Sequence, residues 1–154
     1  MARIGDDQLL FLFVLAIGAI VIAIFYLKNL QDMLKECSSR NQQVPPGNVW
    51  LMLIPFFNIV YPFILYPKIS ESLKKEFEER GNPQQGDYLK SIGLTMAILN
   101  ICGVLPVVGS IAGLGNFILL IIYWVRTAEF KNKLRMLPKA GKGVRISDNA
   151  DILD

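Results

Sequence analysis

The segment 91–125 runs for thirty-five residues without a charged side chain and is interrupted only by the glycine- and proline-containing stretch 103–109. A membrane helix needs about 20 apolar residues, so this segment is long enough for two spans joined by a tight turn. Two further uncharged runs lie at 9–27 and 41–67. A water-soluble core formed by 154 residues could not hide all of these segments, so the sequence predicts a polytopic membrane protein.

The apolar segments predict an all-α fold: a four-helix transmembrane bundle of two helical hairpins with amphipathic cytoplasmic extensions. The bundle is expected to cover 1–137, with spans at about 9–27, 49–67, 89–105 and 109–126, and 138–154 is expected to form a basic, then acidic, cytoplasmic tail. The first run is longer than the apolar core of a signal peptide, so we predict a retained span. In the second run, Pro55 and Pro62 lack backbone donors and should kink or interrupt the helix.

Basic residues predict the orientation. Four spans with an inward N-terminus place Arg3 and the basic residues of 68–90 and 126–145 inside, and leave only Lys28, Lys35 and Arg40 outside. The positive-inside rule therefore predicts that both termini are cytoplasmic.

Residues that usually perform catalysis are scarce. The chain has no histidine, which is the commonest general base and metal ligand, and its two cysteines are far apart. Apart from Lys90 and Arg126 at the ends of the predicted third and fourth spans, no charged side chain lies within the four spans, although such residues usually mark transport paths and intramembrane chemistry. We therefore expect no enzymatic activity, no metal site and no cofactor. Cys37, in the predicted outer loop, could be a lone thiol or a lipid or disulfide partner, and a passive surface cysteine is the favoured interpretation.

Within the spans, the polar groups of interest are three asparagines. They could hydrogen-bond across helices or line a polar path, and packing is the favoured interpretation. Asn100 and Asn116 fall near the same turn and could bond to each other. Gly109 and Gly113 form a G-x-x-x-G pair, which lets helices approach closely; packing within the chain is the favoured interpretation and dimerisation is the alternative. The candidate residues for helix packing or partner contact are Pro55, Asn58, Asn100, Gly109, Gly113 and Asn116.

Two charged segments flank the predicted spans. In 68–80, Ile69, Leu73 and Phe77 recur every four residues, which indicates a solvated helical extension whose narrow apolar edge lies on the membrane or a sister helix; docking to another protein is the alternative. The second segment follows the last span and is strongly basic. Because basic residues beside a membrane attract anionic headgroups, we expect lipid contact rather than nucleic-acid binding. The expected contacts are Lys131, Lys133, Arg135, Lys139, Lys142 and Arg145.

Three blocks of the sequence carry a family resemblance. The blocks 44–58 (VPPGNVWLMLIPFFN), 69–73 (ISESL) and 121–134 (IIYWVRTAEFKNKL) resemble an uncharacterised family of small four-span bacterial membrane proteins of the Bacteroidota type. The likeness covers about 37–134 and implies a bacterial inner membrane. That family has no assigned activity or binding residues, so the resemblance implies no functional site.

Two functions are compatible with these features. The favoured hypothesis is a non-enzymatic accessory or scaffold subunit of a larger membrane complex, supported by small-residue helix faces and amphipathic extensions. The alternative is a minimal channel or carrier that acts as a homo-oligomer, with the asparagines and the proline-broken second span lining a path.

Overall fold

The computed structural model describes residues 5–103 and 108–139, and this part of the chain is helical with no strand. Its elements are α1 (Asp6–Glu36), a 3₁₀ helix (Pro46–Leu53), α2 (Phe57–Val60), α3 (Pro62–Glu79), α4 (Lys90–Cys102) and α5 (Val108–Met136). The predicted all-α class is therefore confirmed.

Two of the described helices are long and apolar enough to cross a membrane, namely α1 and the part of α5 from Gly109 to Met136. The apolar helix α4 has 13 residues, and at 1.5 Å per residue it measures roughly 20 Å, short of a hydrocarbon core about 30 Å thick. The described residues thus contain two candidate spans and do not confirm the four-span bundle.

The predicted second span, 49–67, is not one helix. The 3₁₀ helix ends at Leu53, and Pro55 follows in an exposed turn before the four-residue α2. Pro62 then occupies the first turn of α3, where a missing N–H leaves no hydrogen bond unmade. Because a proline within a helix removes a hydrogen bond and clashes with the preceding turn, two prolines seven residues apart interrupt the segment. The predicted interruption is therefore observed, and the single span is not.

The hydrophobic core lies between α3 and the second halves of α1 and α5. The α3 side chains of Ile69, Leu73 and Phe77 are fully buried in this core, which also contains residues of α1, α4 and α5, and the Phe77 ring lies 5.6 Å from that of Phe130 on α5. The sequence predicts that this apolar edge lies on the membrane or on a sister helix, and the structure buries it against other helices of the bundle. The helix α3 packs mainly against α4, and the second halves of α1 and α5, which continue beyond their apolar segments, add buried side chains to the same core.

The first half of α1 stands apart from this core. Its large side chains from Leu9 to Phe25 are exposed, and only 6% of its most apolar stretch is buried inside the protein. Exposed apolar surface costs roughly 25 cal/mol per Å² in water, so a lipid environment suits this segment.

The helices α1 and α5 run in the same direction. Tyr26 packs edge-on against Tyr123 with ring centroids 6.3 Å apart, and further along both helices Glu36 pairs with Arg135 at 2.7 Å. The starts of α1 and α5 therefore lie at one end of the molecule, and their last turns lie at the other, which we call the polar end. If these helices cross a membrane, the start of α1 and the end of α5 lie on opposite sides, which contradicts the prediction that both termini are cytoplasmic.

The segment 37–45, predicted as an outer loop, belongs to the polar end as well. The Ser38 main-chain N–H donates to Glu76 at 2.8 Å, and Arg40 forms an ion pair with Glu79. Lys28, Lys35 and Arg40 thus lie with the basic residues of 68–90 and 126–139, not opposite them. These residues share one end because the interrupted segment 46–67 reverses direction at α2. The chain therefore leaves the polar end after residue 45 and returns to it in α3.

Candidate functional site

A cavity of about 300 Å³ lies in the apolar part of the bundle, where α1, the 3₁₀ helix and α2–α5 meet. Its wall is mostly aliphatic and aromatic, with no charged side chain. Leu53 and Phe117 border it and are themselves 45% and 51% exposed, so the cavity reaches the outer surface of the bundle. All three intramembrane asparagines of the sequence analysis, Asn58, Asn100 and Asn116, contribute to its wall.

The three asparagines are not equivalent. Asn100 Nδ2 on α4 donates a hydrogen bond to the main-chain oxygen of Asn58 on α2, at 3.2 Å. Asn116 on α5 makes no such contact, and its buried Oδ1 accepts no hydrogen bond from any described residue. The expected Asn100–Asn116 bond is therefore not formed. One asparagine thus holds two helices together, and another lines the cavity while its side-chain oxygen is buried without a donor among the described residues.

Tyrosines close the cavity toward the polar end. Tyr26 and Tyr66 both line it, and their hydroxyl oxygens lie 3.3 Å apart. The Tyr66 ring lies 5.1 Å from that of the fully buried Tyr123 on α5. Since amides and hydroxyls in an apolar wall supply hydrogen bonds without charge, the arrangement suits an uncharged polar group.

The glycines show how closely the helices approach around the cavity. A Cβ at Gly93 on α4 would lie 2.5 Å from Cβ of Tyr66, and one at Gly109 would lie 2.6 Å from the Gly103 main-chain oxygen. A Cβ at Gly113 would meet no atom within 4 Å. Only one member of the predicted G-x-x-x-G pair is thus at a close approach within this chain, and Gly113 faces open space. Pro55 lies exposed in its turn.

A second cluster of functional groups lies at the polar end, around an ion pair between Glu76 and Arg80. The two side chains are 0% and 1% exposed, with Nη2 of the arginine 2.6 Å from Oε1 of the glutamate. The carboxylate also accepts hydrogen bonds from Ser38 N and Oγ and from Asn41 Nδ2, at 2.8, 3.0 and 2.7 Å. Its four neighbouring donors satisfy a charge that water does not reach.

Arg80 connects the ends of three helices. Its guanidinium donates to the main-chain oxygens of Glu36 at 2.7 Å, Leu134 at 2.5 Å and Leu137 at 3.2 Å. The last carbonyls of a helix have no partner within the helix and carry partial negative charge, so a cation stabilises them. Glu76, Arg80 and their partners are called the polar clamp below.

The surroundings of Glu76 change its acidity. Burial alone would raise its pKa, but the hydrogen bonds from Asn41, Ser38 and Arg80 together outweigh burial and lower the pKa from its ordinary value of 4.5. Glu76 is therefore a carboxylate at neutral pH and matches the charge of Arg80.

Cys37 lies beside the polar clamp and is 3% exposed, so the interpretation as a surface cysteine is wrong. Burial, and secondarily the negative charge of Glu76, raise the pKa of its thiol to about 12. A thiol reacts as its thiolate, so Cys37 is chemically inert at neutral pH.

The residues expected to bind anionic lipid fall into three groups. Lys131 donates to Asn29 at 2.8 Å and Lys133 to Gln84 at 2.8 Å, while Arg135 pairs with Glu36, so these three also serve the fold. Lys139 is exposed. Lys142 and Arg145 lie outside the described residues.

Sequence analysis missed the polar clamp, although a signal for it is present. Glu76 and Arg80 follow Ile69 by seven and eleven residues and therefore share the helix face of Leu73 and Phe77. When the apolar face of a helix is buried in the core, an acidic and a basic residue on that same face indicate a buried ion pair.

Comparison with known proteins finds no match to this chain among family models, curated proteins or solved structures.

Proposed function

We propose that this chain is a small, non-enzymatic integral membrane protein that serves as an accessory subunit and binds a transmembrane helix of a larger membrane protein through residues 6–25 of α1. The observation that carries the proposal is the exposure of this half-helix, which extends beyond the core with apolar side chains on all its faces. The rest of the chain packs mainly against the other half of α1 and borders the first half only at the cavity, around Ala19 and Ala23, so most of the first half is free for a second protein.

The middle of this half-helix suits close packing. Gly18 is exposed, and a Cβ there would meet no atom of this chain within 4 Å. In lipid, where helix association depends on packing rather than on the hydrophobic effect, a small residue lets a partner backbone approach. The polar clamp meanwhile fixes the end of α1 to α3 and α5, so the exposed first half of α1 is held in place relative to the rest of the protein.

The proposed location is a bacterial cytoplasmic membrane with the polar end on the cytoplasmic side. Every lysine and arginine of the described residues lies at or near this end, and the positive-inside rule favours such an arrangement. Anionic headgroups are the proposed lipid partner. Lys28, Lys68, Lys90 and Arg126 are exposed at the boundary between the apolar and charged parts of their helices and add to the predicted contacts in the tail.

The accessory role is tested by purifying the tagged chain at its native level in mild detergent and measuring its native mass. We expect stoichiometric copurification of a larger membrane protein. Gly18→Leu should abolish it while preserving the fold, because the position is exposed and a Cβ there would meet no atom of this chain within 4 Å. The matched control is Gly113→Leu on α5, which also enters open space and should keep the partner. A partner that survives Gly18→Leu, or a chain that purifies alone, would overturn the proposal.

The alternative function, a carrier, has one specific observation in its favour, the cavity with its three asparagines. The cavity lies within one copy of the chain, so a carrier of this kind does not need a solute path along the central axis of a homo-oligomer. Purification as a lone homo-oligomer, together with solute flux into proteoliposomes, would place this function first.

A further inference from the structure

Small side chains line the α1 side of the cavity. Ala19 and Ala23 lie four residues apart, and therefore on one face of α1, and both border the cavity. Leu53 of the 3₁₀ helix and Phe117 of α5 border it as well. The cavity of about 300 Å³ is thus a crevice between helices, and a bulky side chain in place of either alanine would take up part of its space.

The opening of the cavity lies on the apolar outer surface of the bundle. Ile22, Leu53 and Phe117 line the cavity, and each is about half exposed. Ile22 and Phe117 belong to α1 and α5, the two described helices that are long and apolar enough to cross a membrane. If these helices cross a membrane, the opening faces hydrocarbon chains and not water.

The polar groups of the wall are mostly engaged within the protein. Asn100 Nδ2 donates to the main-chain oxygen of Asn58, and the hydroxyl oxygens of Tyr26 and Tyr66 lie 3.3 Å from each other. Asn116 Oδ1 is buried, so a molecule in the cavity does not reach it. A ligand therefore needs no matching polar group. An uncharged group such as an ester is tolerated beside these side chains, whereas a charged headgroup is costly to bury there.

The apolar wall also argues against water as the occupant. A buried water needs two to four polar partners, and an apolar cavity of about 150 Å³ stays dry and binds apolar molecules such as benzene. The cavity in this protein has about 300 Å³, and no charged side chain among the described residues lines it. Its size and its wall therefore suit a segment of hydrocarbon.

We propose that the cavity binds one hydrocarbon chain of a bilayer lipid, which enters from the bilayer between Leu53 and Phe117 while the headgroup stays outside. The bound chain contacts α1, the 3₁₀ helix and α5 together, and fills the crevice beside the interrupted segment 46–67. This proposal rests on the proposed membrane location. It does not rest on the accessory role, because the cavity lies within one copy of the chain.

The test uses the purified full chain, without any partner, in vesicles of dioleoylphosphatidylcholine. The probe is a phosphatidylcholine with a photoreactive diazirine at the end of one acyl chain, and peptide mass spectrometry locates the residues that it labels. We expect Met52 and Leu120, half-buried in the cavity wall, to be labelled at least as strongly as Leu114, which is exposed on α5 outside that wall. Labelling of Leu114 without Met52 and Leu120 would overturn the proposal. Absence of labelling at Leu114 would overturn the membrane location, and this proposal with it.

Two variants separate the cavity from the outer lipid-facing surface. Ala19→Phe should lower the labelling of Met52 and Leu120 about tenfold, because the added ring competes with the lipid chain for the same space. The matched control is Ala16→Phe, which is exposed on the same helix and outside the cavity wall and should leave that labelling unchanged. Labelling of Leu114 should be the same in both variants, which shows that both are folded in the bilayer. Equal labelling of Met52 and Leu120 in the two variants, whether kept or lost, would overturn the proposal.

Discussion

At the scale of single residues, the most demanding group in this protein is the Glu76 carboxylate, since every partner that stabilises its charge comes from the protein. Glu76→Gln removes that charge and leaves Arg80 buried without a counter-ion. Removing one member of a buried ion pair costs about 3–5 kcal/mol, so we expect the free energy of unfolding in mild detergent to fall by about that amount.

The matched control for this change is Glu78→Gln on the same helix. Glu78 pairs with Lys74 at 3.9 Å, and its side chain is 52% exposed. Exposed pairs four residues apart contribute only about 0.3–0.5 kcal/mol, so this variant should unfold almost like the parent. Equal effects of the two substitutions would show that the polar clamp contributes no more than a surface pair.

The acidity of Glu76 adds a pH signature to the same prediction. Its pKa in the folded protein lies below the ordinary 4.5 of the unfolded chain, so the unfolded state binds the proton first as the pH falls. The stability from this carboxylate is thus present above about pH 4.5 and is lost as the pH drops through the lower, folded pKa. Glu76→Gln should lack this acid-dependent loss, and an unchanged acid profile in the variant would contradict the assignment.

At the scale of elements, the contact between α3 and α4 depends on a missing side chain. A Cβ at Gly93 would overlap that of Tyr66, and neither backbone can yield without separating the helices beside the cavity. Overpacking of this kind costs about 1–3 kcal/mol, so Gly93→Ala should lower the thermal stability by that equivalent. Gly113→Ala, which enters open space within α5, should raise it by up to about 1 kcal/mol through helix propensity. Equal effects of the two changes would mean that α4 is not tightly packed on α3.

Local sequence features predicted the helices far better than they predicted what the helices contact. The uncharged runs located α1, α4 and α5, because hydropathy is a property of consecutive residues. Pro55 and Pro62 indicated the interruption of 46–67, but its length allows either a crossing or a return, and only contacts such as Arg40 with Glu79 decide between them.

The candidate site was predicted in composition and not in geometry. The asparagines were identified because polar side chains are few in the apolar segments, yet nothing along the chain shows that Asn100 bonds to Asn58 while Asn116 stays unpaired. The polar clamp depends on Ser38, Asn41 and Leu134, which are 35 to 54 residues away from their partners. Tertiary structure alone brings such groups together.

At the scale of the whole molecule, the chain divides into an apolar part that holds the cavity and a polar end held by the clamp. The division predicts a topology: the start of α1 lies across the membrane from the ends of α1, α3 and α5. Cysteines at exposed positions test it, in a background of Cys102→Ser, since buried Cys37 with its raised pKa should not react. With a membrane-impermeant maleimide on intact cells, we expect Asp7→Cys to label, and Lys28→Cys and Lys139→Cys to label only after permeabilisation. Labelling of Lys28→Cys from outside, with protection of Asp7→Cys, would instead restore the four-span topology, because in that arrangement the segment after α1 faces away from the end of α5.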